Sequence, residues 1–427
     1  MAEPLIWLQN LQLLAGPDQA PVSGEALVGA DGTLLALGDG AVSQALAEGL
    51  HPQNATGCWL APALVDPHSM LEDPLSGRAE TLASLSSTAA SGGYGTVALL
   101  PWAEPWRDSP ERLALAAVGP VVVRLWGSLS RGGADTELAP HGDQLAAGAI
   151  GLAGGDHCPP LGLLERGLRL GEQGAAPLLL APRDPGIAVA GFVREGADAL
   201  RAGWPPDPFL SETLPLQSLL ALAAVHRPQA LRLMNLSTAE GVALLAQCPA
   251  AQRPMASVSW WHLLADASRL DPTAEGWRVV PSLGTPVDRQ ALVAALAAGV
   301  ISAVAVHHLA LDAEERLLPL DQRRGGLAGH GHVLPLLWQE LVGVHGWSVP
   351  QLWQSLCWGP ARFLALEPPA LAAGTRHWLL FDPAADAQPV GSALAANQPA
   401  VASWLPEAQR RGAIRATGLT DPSSWTL

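Results

Sequence analysis

The chain has 427 residues, 49% of them apolar and 15% charged, with a formal net charge of −15 and a pI near 5.2. That length suits one large barrel with a small satellite domain, or two to three ordinary domains, and the apolar fraction permits a large buried core. The negative balance excludes nucleic acid as the main partner, because phosphate binding rests on clustered positive charge.

The first ~60 residues read as short strands and turns: LIWLQNLQLL, then GEALVGADGTLLALGDG, with Asp-Gly turn signals between β-leaning runs. From Trp59 to about residue 366 the pattern changes. Short apolar runs alternate with Ala/Leu-rich helical stretches such as RAETLASLSSTAASGG, LPLQSLLALAAVHRP and TPVDRQALVAALAAG. The strand-like runs are TVALLP at 96–101, VVVRLWG at 121–127, AIGLAG at 149–154, APLLLAP at 176–182, ALRLMNL at 230–236, PMASVSW at 254–260 and ISAVAV at 301–306. This alternation predicts a parallel α/β fold, and its length suits a TIM barrel. The longest apolar run, 291–306, is broken by Gly299 and falls short of a membrane span, so it reads as a helix passing into a buried strand. PPALAAGTRHWLLFDP then predicts a turn and one more strand, able to rejoin the N-terminal strands. The last ~40 residues have weak periodicity and are expected to be loosely ordered.

All 24 basic residues are Arg. Without Lys there is no Schiff base, no phosphate-loop Lys and no carboxylated-lysine metal bridge. Cys58, Cys158, Cys248 and Cys357 lie far apart with no C-x-x-C pair, which favours reduced thiols in a cytoplasmic protein. MAEPLIWLQN lacks the basic and apolar regions of a secretory signal. The expectation is a cytoplasmic protein with neither membrane nor nucleic-acid partner.

WLAPALVDPHSMLEDP at 59–74 looks like the first metal-binding strand of dihydroorotases, usually G-x-V-D-x-H-x-H-x-R-x-P. ETLASLSSTAASGGYGTVALLPWAEP resembles the helix and strand that end in an M-P-N-T-x-P loop. The likeness runs on through WGSLSRGGADTELAPHGDQLAAGAIGLAGGD, LMNLSTAEGVALL, SVSWWHLLAD, VVPSLGTPVDRQALVAALAAGVISAVAVHHLALDAEE and GTRHWLLFDP, in order over most of the chain. The chain is thus similar to dihydroorotases. The resemblance implies a TIM (β/α)8 barrel of amidohydrolase type with a small β domain built from N- and C-terminal segments. Residues 1–58 and 367–390 would form the β domain, 59–366 the barrel and 391–427 a C-terminal extension.

Such enzymes hold one or two divalent metals at the carboxyl ends of the barrel strands, where a strand-eight Asp handles the proton. The resemblance keeps the first histidine as His68, with Asp66 before it. The second falls at Met70, a soft thioether that a water-activating zinc would not select. The strand-four bridge falls near Gly154, the strand-five His at Ala181, the strand-six His at Asn235 and the strand-eight Asp at His307. The substrate-gripping Arg falls at Glu72 and the Asn of M-P-N-T at Trp102. The Asn and Arg of N-P-P-L-R fall at Val280 and Gly284, and the second His of strand eight at Leu311. An anionic dihydroorotate would meet a carboxylate and apolar bulk in place of a guanidinium.

The expectation is a dihydroorotase homologue of pyrimidine biosynthesis, catalytically degenerate and without a cofactor. It would have a structural or regulatory role, similar to inactive dihydroorotase-like chains that assemble with aspartate transcarbamoylase, and an oligomer follows from that. The alternative is an active amidohydrolase of cyclic amide bonds, with one Zn²⁺ on a rewired set of His68, His307, His157 and Asp156. Strand alternation predicts that His307 and His308 face opposite ways. His330 and His332 in GHGHV are expected in a solvated loop, Glu72 and Asp73 in a charged loop, and Asp184 beside Arg183. Met70, Gly154, Ala181, Trp102, Trp260 and Trp261 are expected to fill a mouth that holds no metal.

Overall fold

The computed structural model describes residues 5–73, 77, 79–114, 119–226, 230–271, 276–320, 322–387, 400–401 and 404–427. The N-terminal strands β1 (Ile6–Leu13), β2 (Val22–Val28) and β3 (Leu34–Leu37) form an antiparallel meander, with β4 (Gln53–Asn54) and β5 (Trp59–Pro62) lying parallel to β1. The β2–β3 turn uses the Asp31-Gly32 signal. Gly32 has φ +85°, and a Cβ there would stand 2.7 Å from the carbonyl of Gly418.

The barrel strands are β6 (Leu64–Ser69), β7 (Tyr94–Leu99), β8 (Val122–Leu125) continued by β9 (Gly127–Ser128), β10 (Leu152–Ala153) and β11 (Leu178–Leu180). Outside them lies a short parallel pair, β12 (Val193–Arg194) and β13 (Pro206–Asp207). The barrel continues with β14 (Leu231–Leu233), β15 (Met255–Ser259) and β16 (Ala303–Ala305). Neighbouring barrel strands pair in parallel. The first and last close the ring through Met70 N–H to His308 O (2.8 Å) and His307 N–H to His68 O (3.1 Å). Parallel strands covered on both faces read as continuous apolar runs. That is why the apolar segments of the sequence fall on β7 to β16, and why the 291–306 run divides into the helix Pro286–Ala297 and β16.

The barrel interior is packed with Val65, Ala98, Trp126, Leu179, Met234 and Ala303, and Phe363 joins them. Trp126 is fully buried and donates its indole N–H to Pro67 O at 3.0 Å, so its one polar atom is satisfied. A larger cluster lies between strands and helices.

Two late strands, β17 (Trp378–Asp386) and β18 (Arg411–Thr417), complete the small sheet in the order β18-β17-β5-β1-β2-β3. The sheet takes in Trp59–Pro62, so the passage into the barrel falls after Pro62, not before Trp59. The extension read as loosely ordered supplies β18, antiparallel to β17, with Ala413 and Ala416 buried. Its short RGAIRAT run becomes a strand because β17 offers an open edge. The fold is therefore an α/β TIM barrel with a small β domain. Among the described residues no helix is long and apolar enough to cross a membrane.

Candidate functional site

The residues matched to the metal ligands do gather at the carboxyl ends of the barrel strands: His68 on β6, Gly154 after β10, Ala181 after β11, Asn235 after β14 and His307 after β16. His68 Nδ1 faces His307 Nδ1 at 3.1 Å, and His68 Nε2 lies 2.8 Å from Ser257 Oγ. Asn235 N–H donates to the same hydroxyl at 3.0 Å, and Asn235 Nδ2 is buried without a partner. Asn235 and His307 both adopt positive φ (49° and 48°), which turns the chain sharply at two strand ends. Burial drives the His68 imidazole well below its ordinary value and takes His307 down to about 4. Both rings are neutral near pH 7, and one donates a hydrogen to the other.

Around this pair the other matched positions offer, besides the Asn235 carboxamide, little that binds a metal. Met70 and Ala181 are buried. Gly154 has no side chain, and its carbonyl accepts the Trp102 indole N–H at 2.9 Å. Leu311 is buried, Val280 lines the mouth, and Gly284 abuts Asp288. Trp260 and Trp261, expected at the mouth, are fully buried in the cluster outside the strands and reach the mouth only as lining.

His157 and Asp156 lie elsewhere on the rim. His157 bridges Asp135 (Nε2 to Oδ2, 3.2 Å) and Asp156 (Nδ1 to Oδ1, 2.9 Å). Asp135 and Asp156 together raise this imidazole to about 10. A doubly protonated ring has no lone pair for a metal. Asp156 is further held by Arg183 at 3.2 Å, whereas Asp184, expected beside that Arg, caps the helix Pro185–Ala188 by accepting from Gly186 and Ile187 N–H. Among the described residues no group of three or more His, Cys, Asp or Glu stands at metal-ligating spacing. A zinc of the kind the resemblance implies does not fit the donors present among the described residues.

Sequence reading missed a second polar cluster. His308 takes other partners than His307, although the chain has left β16 by then and turns at His307 so that strand alternation does not apply; its Nε2 meets Glu80 Oε2 at 2.7 Å. Gly329 N–H donates to its Nδ1 at 3.1 Å. His330, expected in a solvated loop, is fully buried: its Nε2 lies 3.0 Å from Asp66 Oδ2, and its ring stacks 4.8 Å from that of His308. Asp66 Oδ1 accepts from Val306 N–H at 3.0 Å, and Ser69 Oγ donates to Asp66 Oδ2 at 2.5 Å. Burial opposes charging of His308, but Glu80 outweighs it and holds the imidazole above its ordinary value. The one signal in the sequence was Asp66 itself, a carboxylate inside an apolar strand.

The mouth opens into a cavity of about 500 Å³ lined by Met70, Trp102, Trp106, Trp260, Val280 and His307. At its rim Arg324 Nη1 meets both carboxylate oxygens of Glu72 at 2.7 Å and its guanidinium also binds Glu315. Glu72 is thus paired from within the chain.

No family model matches the chain. A "Probable dihydroorotase-like protein" of Synechocystis is 34% identical over 359 residues, covering 76% of this chain and 80% of that protein. The dihydroorotase of Thermus aquaticus is 28% identical over 393 residues (89% and 90%), and a dihydroorotase-like protein of Pseudomonas aeruginosa is 28% identical over 338 (77% and 79%). The solved L-hydantoinase of Arthrobacter aurescens superposes with a TM-score of 0.75 at 18% identity, over 98% of this chain and 94% of its own. At that identity the hydantoinase speaks for the fold alone. The extent of the Synechocystis match, together with strand ends that fall where the motifs require, places the chain in the dihydroorotase-like family of the amidohydrolase superfamily.

Proposed function

We propose that this protein is a dihydroorotase homologue that does not turn over dihydroorotate and serves as a structural or regulatory subunit, with an aspartate transcarbamoylase as its partner. The direct 3.1 Å contact between His68 and His307 carries the reading. A hydrolase of this type needs a water held and deprotonated at this point. Here two neutral imidazoles occupy it, with the strand-eight carboxylate replaced by one of them. The Glu72–Arg324 pair adds to this: the rim guanidinium already grips a carboxylate of its own chain in the manner it would grip a substrate's. The partner is supported by the helix Leu210–His226, which exposes Leu210, Leu214 and Val225 and shows solvent no Asp, Glu or Arg along its length.

Purified protein supplied with Zn²⁺ or Mn²⁺ is expected to leave dihydroorotate unhydrolysed, and metal-dependent turnover would overturn the proposal. A tagged chain expressed in its native host is expected to enrich a transcarbamoylase over an untagged control, and Leu214→Glu to abolish that enrichment. No enrichment would remove the partner.

A further inference from the structure

We propose that the barrel mouth is a binding site for a neutral, planar aromatic amide or heterocycle, held without being consumed; this rests on the non-catalytic reading above. The cavity, about 500 Å³, lies in the size range of small-molecule sites. Two of its walls are indoles whose N–H groups are already used within the chain, Trp102 on Gly154 O (2.9 Å) and Trp106 on Ser128 Oγ (2.7 Å). Those bonds fix the rings and leave aromatic surface as what they offer a ligand, which favours a flat partner able to stack or pack edge-to-face. Met70 and Val280 extend the apolar lining.

Charge selects further. Among the described lining residues each ion has an internal partner: Glu72 with Arg324, and Asp156 with Arg183 and His157. An anionic or cationic ligand would have to break one of these pairs, or leave its own charge without a partner in an apolar cavity, at a desolvation cost. A neutral ligand meets no such cost. His307 supplies the polar anchor. Its Nδ1 is engaged by His68, and its ring borders the cavity 6.1 Å from Trp102. The other ring nitrogen can exchange one hydrogen bond with an amide or ring N–H or C=O. The site built from these residues is therefore aromatic, charge-compensated and singly anchored.

The test is calorimetric titration of the full chain with naphthalene-2-carboxamide and its two near-isosteres, 2-naphthoate and 2-naphthamidine, which differ mainly in charge. The carboxamide is expected to bind at least ten-fold tighter than either ion. Trp102→Ala should weaken it at least five-fold. Val280→Trp, which fills the cavity while removing no hydrogen bond, should abolish binding at an unchanged melting temperature, and so guards against a misfolded Trp102 variant. Equal affinity for all three probes, preference for an ion, or no binding at all would each overturn the proposal. Chromatography of the recovered carboxamide separates the two readings. Intact probe supports both, whereas conversion to naphthoate keeps the site and overturns the absence of catalysis. No binding together with inert dihydroorotate overturns the site alone.

Discussion

His68 and His307 meet Nδ1 to Nδ1 at 3.1 Å across the end of the barrel, so a single hydrogen serves both rings. A metal entering here would have to break that bond with two ligands at most among the described donors. Zinc at ten-fold molar excess is expected to leave the thermal midpoint of the protein unchanged. A ligand that bound the native state at 100 times its Kd would stabilise it by about 2.7 kcal/mol and raise that midpoint visibly.

The left-handed backbone at His307 makes its own demand. Asn tolerates that conformation and a β-branched residue does not. His307→Val is expected to cost about 2–3 kcal/mol from lost bonding and strain together, and His307→Asn clearly less. Urea unfolding of the two variants decides it, and equal losses would refute the backbone argument.

Stability should peak near pH 6.5. Burial holds His262 at about 4, with Nε2 bonded to Pro281 O at 3.1 Å, and His307 also at about 4, both below the 6.5 of a free imidazole. The unfolded chain therefore takes up protons first. The contribution of these two residues is intact above pH 6.5, declines between 6.5 and 4 by on the order of 3 kcal/mol for His262 alone, and levels off below. His157 works in the opposite sense. Its imidazole, raised to about 10 by Asp135 and Asp156, contributes fully below 6.5 and progressively less as pH climbs towards 10. Urea midpoints from pH 4 to 10 should trace both arms. His262→Gln should flatten the acid arm and Asp135→Asn the alkaline one.

Asp66 accepts three hydrogen bonds in the interior, from Val306 N–H, Ser69 Oγ and His330 Nε2. Asp66→Ala is expected to cost about 3–5 kcal/mol, the range for breaking a buried ionisable pair. Asp66→Asn keeps one carbonyl acceptor and should cost less. A loss under 1 kcal/mol for the alanine variant would show that the cluster contributes little.

Glu72 and Arg324 are half-exposed, and such pairs contribute roughly 0–1 kcal/mol. Glu72→Ala should therefore leave the melting temperature almost unchanged while releasing Arg324 Nη1. Affinity for 2-naphthoate is then expected to rise at least five-fold, measured by calorimetry against the unaltered chain. No rise would mean that Glu315 alone suffices to occupy the guanidinium.

The barrel strands were legible in the sequence because strands covered on both faces must be apolar throughout, and ALRLMNL or ISAVAV admit few other readings. The positions of His68, Met70, Asn235 and His307 at strand ends followed once the motifs were in order. What stayed hidden was pairing between distant segments. Nothing local in GHGHV shows that His330 turns inward onto Asp66, 264 residues earlier in the chain. Asp184 and Arg183 are neighbours in sequence, yet one caps a helix and the other reaches Asp156. The two-residue strands β12 and β13 are too short for any period to register. β18 was missed because its order comes from the edge on which it pairs, not from its own composition.

That edge has a consequence for the order of events during synthesis. β5 and β17 pair through Pro62 and Trp378, and β18 follows only at Arg411. The N-terminal strands thus leave the ribosome long before the strands that complete their sheet, while the whole barrel is made in between. Until then β5 presents an unpaired edge, the kind of surface on which chains join incorrectly. A chain stopped before Arg411 would keep β17 as its new border, with the row of backbone groups that β18 normally occupies open to any strand that arrives. The arrival of β18, far from the barrel mouth in sequence, therefore closes this border.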